Sequence, residues 1–178
     1  MTNDVSHPEY IITRLDSNHD KQIFSCGSIY LDNYLKTKAG QDAKKNVSVT
    51  YVLTKHDLNK IIGYYTISSI GVDAGELPDE TIKKLPKYPI LPGILLGRLA
   101  VDKNHHGRKM GSHLLIDALK RSFSISIQIG ITAVIVDAKD IKAANFYKHF
   151  GFVEFPENKF KLFLPISTIK KLPYFSAY

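Results

Sequence analysis

The chain has one cysteine, Cys26, among 178 residues, so no disulfide closes within it and no multi-thiolate zinc site is built from it. No apolar run approaches the ~20 residues that span a bilayer. The first ten residues, Met1 to Tyr10, lack the apolar centre of a secretory leader, which predicts a cytoplasmic protein. Internal repeats and low-complexity linkers are missing, so one domain over residues 1–178 is expected. Acidic residues are scarce: 17 Asp and Glu face 24 Lys and Arg, a formal charge of +7. That excess suits an anionic partner, either nucleic acid or a phosphate-rich small molecule. No Walker A string and no Gly-x-Gly-x-x-Gly occurs. The adjacent His105 and His106 have no helically spaced carboxylate, so no metal site is expected.

What is present reads as alternating strands and helices. Tyr10–Leu15 and Val47–Thr54 are strand-like, and a turn over residues 56–59 leads into a return strand, 60–70. Between the first two, Ser28 is placed to cap a helix over Ile29–Asp42. Residues 71–92 hold Gly71, Gly75, Pro78, Pro86, Pro89 and Pro92, which favour loop, with one short helix near 79–85. Ile94–Val101 is an apolar strand, and Ser112–Ser124 is an amphipathic helix. Ile131–Val136 is continuously apolar, as in a strand buried on both faces. Asp140 is placed to cap a helix over Ile141–His149, and Gly151 to end it. Two short strands, 152–155 and 160–164, complete an α/β (α+β) chain around one mixed sheet. Tyr64 and Tyr65 alternate along their strand, which predicts that one of them faces the core.

The stretch from Leu95 to Ser112 carries the most chemistry. A hydrophobic strand runs through a short turn directly into a helix, and Gly107 and Gly111 leave room for backbone N–H groups to converge. The first N–H groups of a helix have no partner within it, and the helix dipole adds positive potential there. A pyrophosphate fits such a place, and Arg108 and Lys109 add full charges. A plain strand–helix turn with packing glycines is the competing reading. A second stretch, Val136 to Phe152, puts Ala143, Ala144, Tyr147 and Phe150 on one helix face. Tyr147 is read there either as a core aromatic or as a proton donor.

Together these stretches resemble the GNAT superfamily of acyl-CoA-dependent N-acetyltransferases. The turn resembles its acetyl-CoA motif, Gln/Arg-x-x-Gly-x-Gly/Ala, and Ala144-Asn-Phe-Tyr-Lys-His-Phe-Gly-Phe152 resembles its second CoA motif. Phe24-Ser-Cys-Gly27, Leu31-Asp-Asn-Tyr-Leu35, Gly63-Tyr-Tyr-Thr66, Leu85-Pro-Lys-Tyr-Pro89, Leu96-Gly-Arg-Leu-Ala-Val-Asp102 and Phe160-Lys-Leu-Phe-Leu-Pro165 are similar to one branch, the GNAT toxins of bacterial type II toxin–antitoxin modules. The chain departs from the motif at two places. His106 stands where Gln or Arg is usual, and Lys109 replaces the first motif glycine. A left-handed backbone at Lys109 would cost on the order of 1 kcal/mol.

The resemblance implies the GNAT fold, a mostly antiparallel central sheet flanked by helices. It implies acetyl-CoA as cosubstrate, held by Leu99, Ala100 and Val101, by His106, Gly107, Arg108, Lys109, Met110, Gly111 and Ser112, and by Asn145, Phe146 and Tyr147. It implies Tyr147 as the catalytic acid and aminoacyl-tRNA as acceptor, acetylated on its α-amine so that translation stops. A ribbon-helix-helix antitoxin and a homodimer are implied partners. For the RNA surface the candidates are Arg98 and the lysines Lys36, Lys44 and Lys45. An isolated buried cation is expensive, so Arg98 is expected to face a groove or to meet a carboxylate. No carboxylate is nominated as general base, because an esterified α-amine is already largely neutral near pH 7. Asp102 and Asp137 lie at strand ends near the cofactor side, where helix capping or a solvated loop is the competing reading. Two other readings remain open on sequence: acetylation of a small amine, peptide or protein N-terminus, and a non-catalytic CoA- or nucleic-acid-binding module. Cys26 is read as buried and inert.

Overall fold

A computed structural model describes residues 9–175. Its strands are β1 (Tyr10–Arg14), β2 (Val49–Lys55), β3 (Ile61–Asp73), β4 (Ile90–Val101), β5 (Ala133–Asp137), β6 (Val153–Phe155) and β7 (Asn158–Pro165). They form one sheet in the order β1-β2-β3-β4-β5-β7-β6. The β1–β2, β5–β7 and β6–β7 ladders are antiparallel, and β4–β5 is parallel, so the expected mixed sheet is present. The parallel pair is joined through α4 (Met110–Gln128), the βαβ unit read from the sequence. The other helices are α1 (Ile29–Asn33), α2 (Ala39–Lys44), α3 (Asp79–Ile82), α5 (Ile141–His149) and α6 (Ile166–Ile169). Among the described residues no helix is long and apolar enough to cross a membrane.

The chain divides into two compact units. One holds the residues up to Thr66 with Arg98–Asp117. Its core joins Phe24, Tyr34, Leu35, Val52, Ile61 and Tyr64. The expectation that one of Tyr64 and Tyr65 faces the core fails here, since both are fully buried. The side chains do alternate, but both faces of the strand are covered. Tyr64 donates to the Leu31 carbonyl at 2.8 Å, and Tyr65 donates to Asp117 Oδ2 at 2.6 Å. Leu31 belongs to α1 and Asp117 to α4, so a helix meets each hydroxyl. Gly63 sits at the closest approach. A Cβ there would lie 2.8 Å from Leu114 Cδ1 and 2.9 Å from the Ala100 carbonyl oxygen.

The other unit holds Ile67–Gly97 and the chain from Ala118 onward. Val72, Leu77, Leu91, Ile135, Phe155 and Phe163 form its core. Residues 71–92 contain more strand than their glycines and prolines suggest. β3 continues to Asp73, and β4 begins at Ile90. Pro92 is accommodated within β4 because its carbonyl does the bonding, accepting from Thr132 N–H at 2.8 Å and from the Thr132 hydroxyl at 2.7 Å. The carboxy-terminal segment forms α6 and a 3-10 turn, Pro173–Phe175, with the Phe175 ring 5.8 Å from Phe123. Residues 176–178 lie outside the described residues.

Candidate active site

The turn from β4 into α4 is built around a buried carboxylate. Asp102 follows the last residue of β4 and accepts from Asn104 N–H and Nδ2, both at 3.0 Å, and from Ser25 N–H at 3.1 Å. These bonds cap the 3-10 turn Lys103–His105 and pin the Phe24–Gly27 segment to it. Burial alone would raise the Asp102 pKa, but the donated hydrogen bonds outweigh it and hold the carboxyl below its ordinary value. Asp102 is therefore a structural anion, in keeping with the capping role read from the sequence. His105 Nδ1 lies 3.6 Å from the same carboxylate, whereas His106 Nε2 donates to the Val101 carbonyl at 2.8 Å.

Beyond His106 the backbone turns left-handed twice, at Gly107 (φ +76°) and at Lys109 (φ +59°), and α4 begins at Met110. The missing motif glycine thus falls where an L-residue is strained, and Lys109 retains the strain. Its side chain and that of Arg108 are exposed. Open backbone ahead of a 19-residue helix, with two cations beside it, fits an anionic pyrophosphate. The strand before it supplies a second feature. The Asp102 N–H bonds back to Ile62 on β3 at 2.8 Å. Backbone groups of successive strand residues alternate sides, so those of Leu99 and Val101 point to the edge away from β3. The parallel ladder of β4 ends at Leu96, and Leu99–Val101 continue past it.

Tyr147 is on α5, in the other unit. Asp140 caps this helix through Ala143 N–H at 2.8 Å, as its sequence predicts. The far end closes with Gly151 at φ +91°, where Gly151 N–H bonds Lys148 O at 2.9 Å and Phe152 N–H bonds Tyr147 O at 3.3 Å. This is a Schellman motif, and its characteristic apolar contact is Phe152 on Tyr147, with ring centroids 5.5 Å apart. Phe146 meets Tyr147 edge-on at 5.3 Å. Burial pushes the Tyr147 phenol well above its usual pKa, so it stays protonated at neutral pH.

Arg98 faces a groove, one of the two outcomes its half-buried charge allowed. Its partner is aromatic rather than a carboxylate. The guanidinium carbon lies 3.5 Å from the Tyr34 ring centroid and 5.7 Å from that of Tyr30, and Nη2 donates to the Tyr30 hydroxyl at 3.0 Å. These groups line a pocket of about 380 Å³, whose wall also includes Asn33, Thr37, Lys38 and Asp42. The helix read as continuous over Ile29–Asp42 changes pitch on this wall: Tyr34–Lys38 is a π-helical turn between α1 and α2. The extra residue brings Asp42 under Tyr34, whose hydroxyl donates to Asp42 Oδ2 at 2.9 Å. Lys38 lines the pocket; Lys36, Lys44 and Lys45 do not. The i, i+4, i+8 spacing of Tyr30, Tyr34 and Lys38 was visible in the sequence, but nothing there tied it to Arg98, 60 residues downstream of Lys38.

Cys26 gives no sign of a nucleophile. Its thiol donates weakly to Ser28 O at 3.8 Å, and burial, reinforced by Asp32, pushes its pKa up to about 11. Among the described residues no group of three or more His, Cys, Asp or Glu side chains gathers as metal ligands.

Comparison with known proteins adds to this geometry. The acetyltransferase (GNAT) domain model matches residues 46–154. A probable toxin, TacT, of Sinorhizobium fredii is 33% identical over 170 residues, covering 91% of this chain and 94% of that protein. A tRNA-acetylating toxin of Mycobacterium tuberculosis is 33% identical over 159 residues, covering 89% of this chain and 93% of that protein. Among solved structures, AtaT complexed with acetyl-methionyl-tRNAfMet superposes with a TM-score of 0.85 at 31% identity, covering 91% of this chain and 98% of AtaT. A tyrosine-to-phenylalanine mutant of KacT gives 0.86 at 30%, covering 92% and 99%. A tyrosine-to-phenylalanine mutant of AtaT, bound to the C-terminus of the antitoxin AtaR and to acetyl-CoA, gives 0.78 at 27%, covering 92% and 98%.

Proposed function

This chain belongs to the GNAT acetyltransferase family, and from that premise we propose that it is a toxin that acetylates the α-amine of aminoacyl-tRNA and so blocks translation. One observation carries the reading: over about nine-tenths of its length the chain is 33% identical to a tRNA-acetylating toxin. The likeness to AtaT in complex with acetyl-methionyl-tRNA supports it. Aminoacyl-tRNA is found in the cytoplasm, so that is where the enzyme acts, as a single domain over residues 1–178.

Acetyl-CoA supplies the acyl group, activated as a thioester. The backbone N–H groups from Gly107 to Ser112 hold its pyrophosphate, with Arg108 and Lys109 as counter-charges. The His106 N–H, expected to join them, is instead turned to the Lys103 carbonyl. At the outer edge of the strand the backbone groups of Leu99 and Val101 align the pantetheine arm by strand-like hydrogen bonds, while those of Ala100, between them, face β3. Asn145 and Phe146 contribute to the same cosubstrate contact. The N–H of Leu99 or Val101 meets the negative charge that develops on the thioester oxygen as the amine attacks. As the C–S bond breaks, Tyr147 gives its phenolic proton to the departing thiolate, and the proton shed by the newly acylated nitrogen returns through water to the phenolate. Its raised pKa keeps that proton available at neutral pH. No carboxylate base is required, because an esterified α-amine is largely neutral near pH 7.

A homodimer, restrained by a ribbon-helix-helix antitoxin whose C-terminal part covers the active site, is the assembly proposed. AtaT bound to the C-terminus of AtaR supports the antitoxin. The test of function is incubation with charged tRNA and labelled acetyl-CoA, followed by mass analysis of the released aminoacyl group. Acetylaminoacyl product is expected. Label on a small amine, peptide or protein N-terminus, with none on tRNA, would overturn the reading.

A further inference from the structure

The pocket around Arg98 takes no part in the acetyl-CoA contacts assigned above. Its chemistry is nonetheless specific. Arg98 is half-buried, and its Nε is fully enclosed with no hydrogen-bond partner. The Tyr34 ring at 3.5 Å covers one face of the guanidinium, which fixes its orientation. Asp42, the only carboxylate of the pocket wall, is engaged by the Tyr34 hydroxyl at 2.9 Å. The Lys38 side chain is exposed on the same wall and adds a second cation. Tyr30 leaves 67% of its surface to solvent while its hydroxyl is held by Arg98. Two cations beside an exposed, oriented aromatic ring form the set that grips single-stranded nucleic acid, with phosphate on the cations and a base stacked on the ring. A volume of about 380 Å³ admits one nucleotide rather than a helix.

The position of the pocket selects the nucleotide. Arg98 immediately precedes the Leu99–Val101 edge, where the thioester is proposed to lie, so whatever occupies the pocket is bound next to the reacting amine. In an aminoacyl-tRNA the aminoacyl group is esterified to the 3′-terminal nucleotide. We infer that the pocket formed by Tyr30, Tyr34, Lys38 and Arg98 binds the 3′-terminal nucleotide of the aminoacyl-tRNA acceptor, with the base stacked on Tyr30 and the phosphodiester on Arg98 and Lys38. This inference rests on the aminoacyl-tRNA reading given above.

The test is steady-state kinetics of the full-length enzyme on an aminoacylated RNA minihelix that carries the single-stranded 3′ end. Tyr30→Ala and Lys38→Gln alter exposed side chains, so the fold tolerates them. Each raises KM for the aminoacyl minihelix at least tenfold, while KM for acetyl-CoA stays within twofold. Tyr30→Phe keeps the stacking ring and restores KM to within threefold of wild type. Arg98→Lys keeps the charge but loses the planar stack, and it also raises KM for the minihelix. If KM for the minihelix stays within twofold in Tyr30→Ala and Lys38→Gln, the pocket assignment is wrong and the function reading stands. If wild-type enzyme binds acetyl-CoA but acetylates no aminoacyl RNA, both fall.

Discussion

Two turns of this molecule use the same rare backbone conformation for different ends. At the exit of α5 the left-handed residue is Gly151, and at the entry of α4 it is Lys109. The α5 turn is relaxed and closed: its carbonyls are capped, and the Phe152 ring packs on Tyr147. The α4 turn is strained and open, with exposed cations and backbone donors facing outward. The closed turn holds a side chain still, whereas the open turn holds backbone ready for a ligand. Asn46 and Asp57, whose short polar side chains tolerate it, share this conformation, so the long Lys109 side chain is the strained case, and strain of that kind is expected where a ligand completes the structure.

The comparison can be broken most sharply at Tyr147. Tyr147→Phe keeps the ring contacts of the closed turn and deletes the proton, so kcat should fall by about 10²–10⁴ with thermal stability unchanged. Wild-type turnover in that variant would remove Tyr147 from the chemistry. The next largest effect belongs to Asp102, which supports the open turn. Asp102→Asn weakens several charge-assisted bonds and should cost about 2 kcal/mol in urea unfolding at pH 7. The sign with pH follows from the depressed pKa. Asp102 stabilises the fold above its unfolded pKa, and that contribution disappears as pH falls through the lower folded value. The stability difference between wild type and Asp102→Asn should therefore shrink under acid titration, and a constant difference would contradict the assignment.

Gly151→Ala tests the closed turn. The nearest atom to the added Cβ is Leu164 Cδ1 at 3.7 Å, an ordinary contact. The cost is then backbone strain alone, about 1–2 kcal/mol, read as a lowered melting temperature. Lys109→Gly is the reverse experiment at the open turn and the smallest effect. Relief of strain is partly offset by the greater freedom of glycine in the unfolded chain, leaving under about 1 kcal/mol of added stability. Acetyl-CoA affinity should tighten in calorimetric titration. An unchanged Kd would mean that the exposed lysine side chain stands clear of the phosphates.

Much of this was legible along the chain. The caps Ser28 and Asp140, and the stop at Gly151, were read where the structure has them, because capping depends on neighbours within a few residues. The βαβ unit and the glycine-containing turn from β4 into α4 were read for the same reason. Distance along the chain defeated the rest. The joint burial of Tyr64 and Tyr65 depends on Leu31 and Asp117, 33 and 52 residues away. Strand formation at Ile90–Pro92 depends on Thr132, whose hydroxyl reaches Pro92 across 40 residues. The π-helical turn carries no local signature that separates it from the α-helix around it.

The sequence by itself determined the family, the order of elements and the identity of the groups proposed to hold and protonate coenzyme A, since these reside in short motifs whose geometry is local. The tertiary structure alone decided what Arg98 meets. A half-buried guanidinium needs a partner, and whether that partner is a carboxylate or the face of Tyr34 depends on how residues 64 positions apart are brought together by packing, which no local pattern encodes.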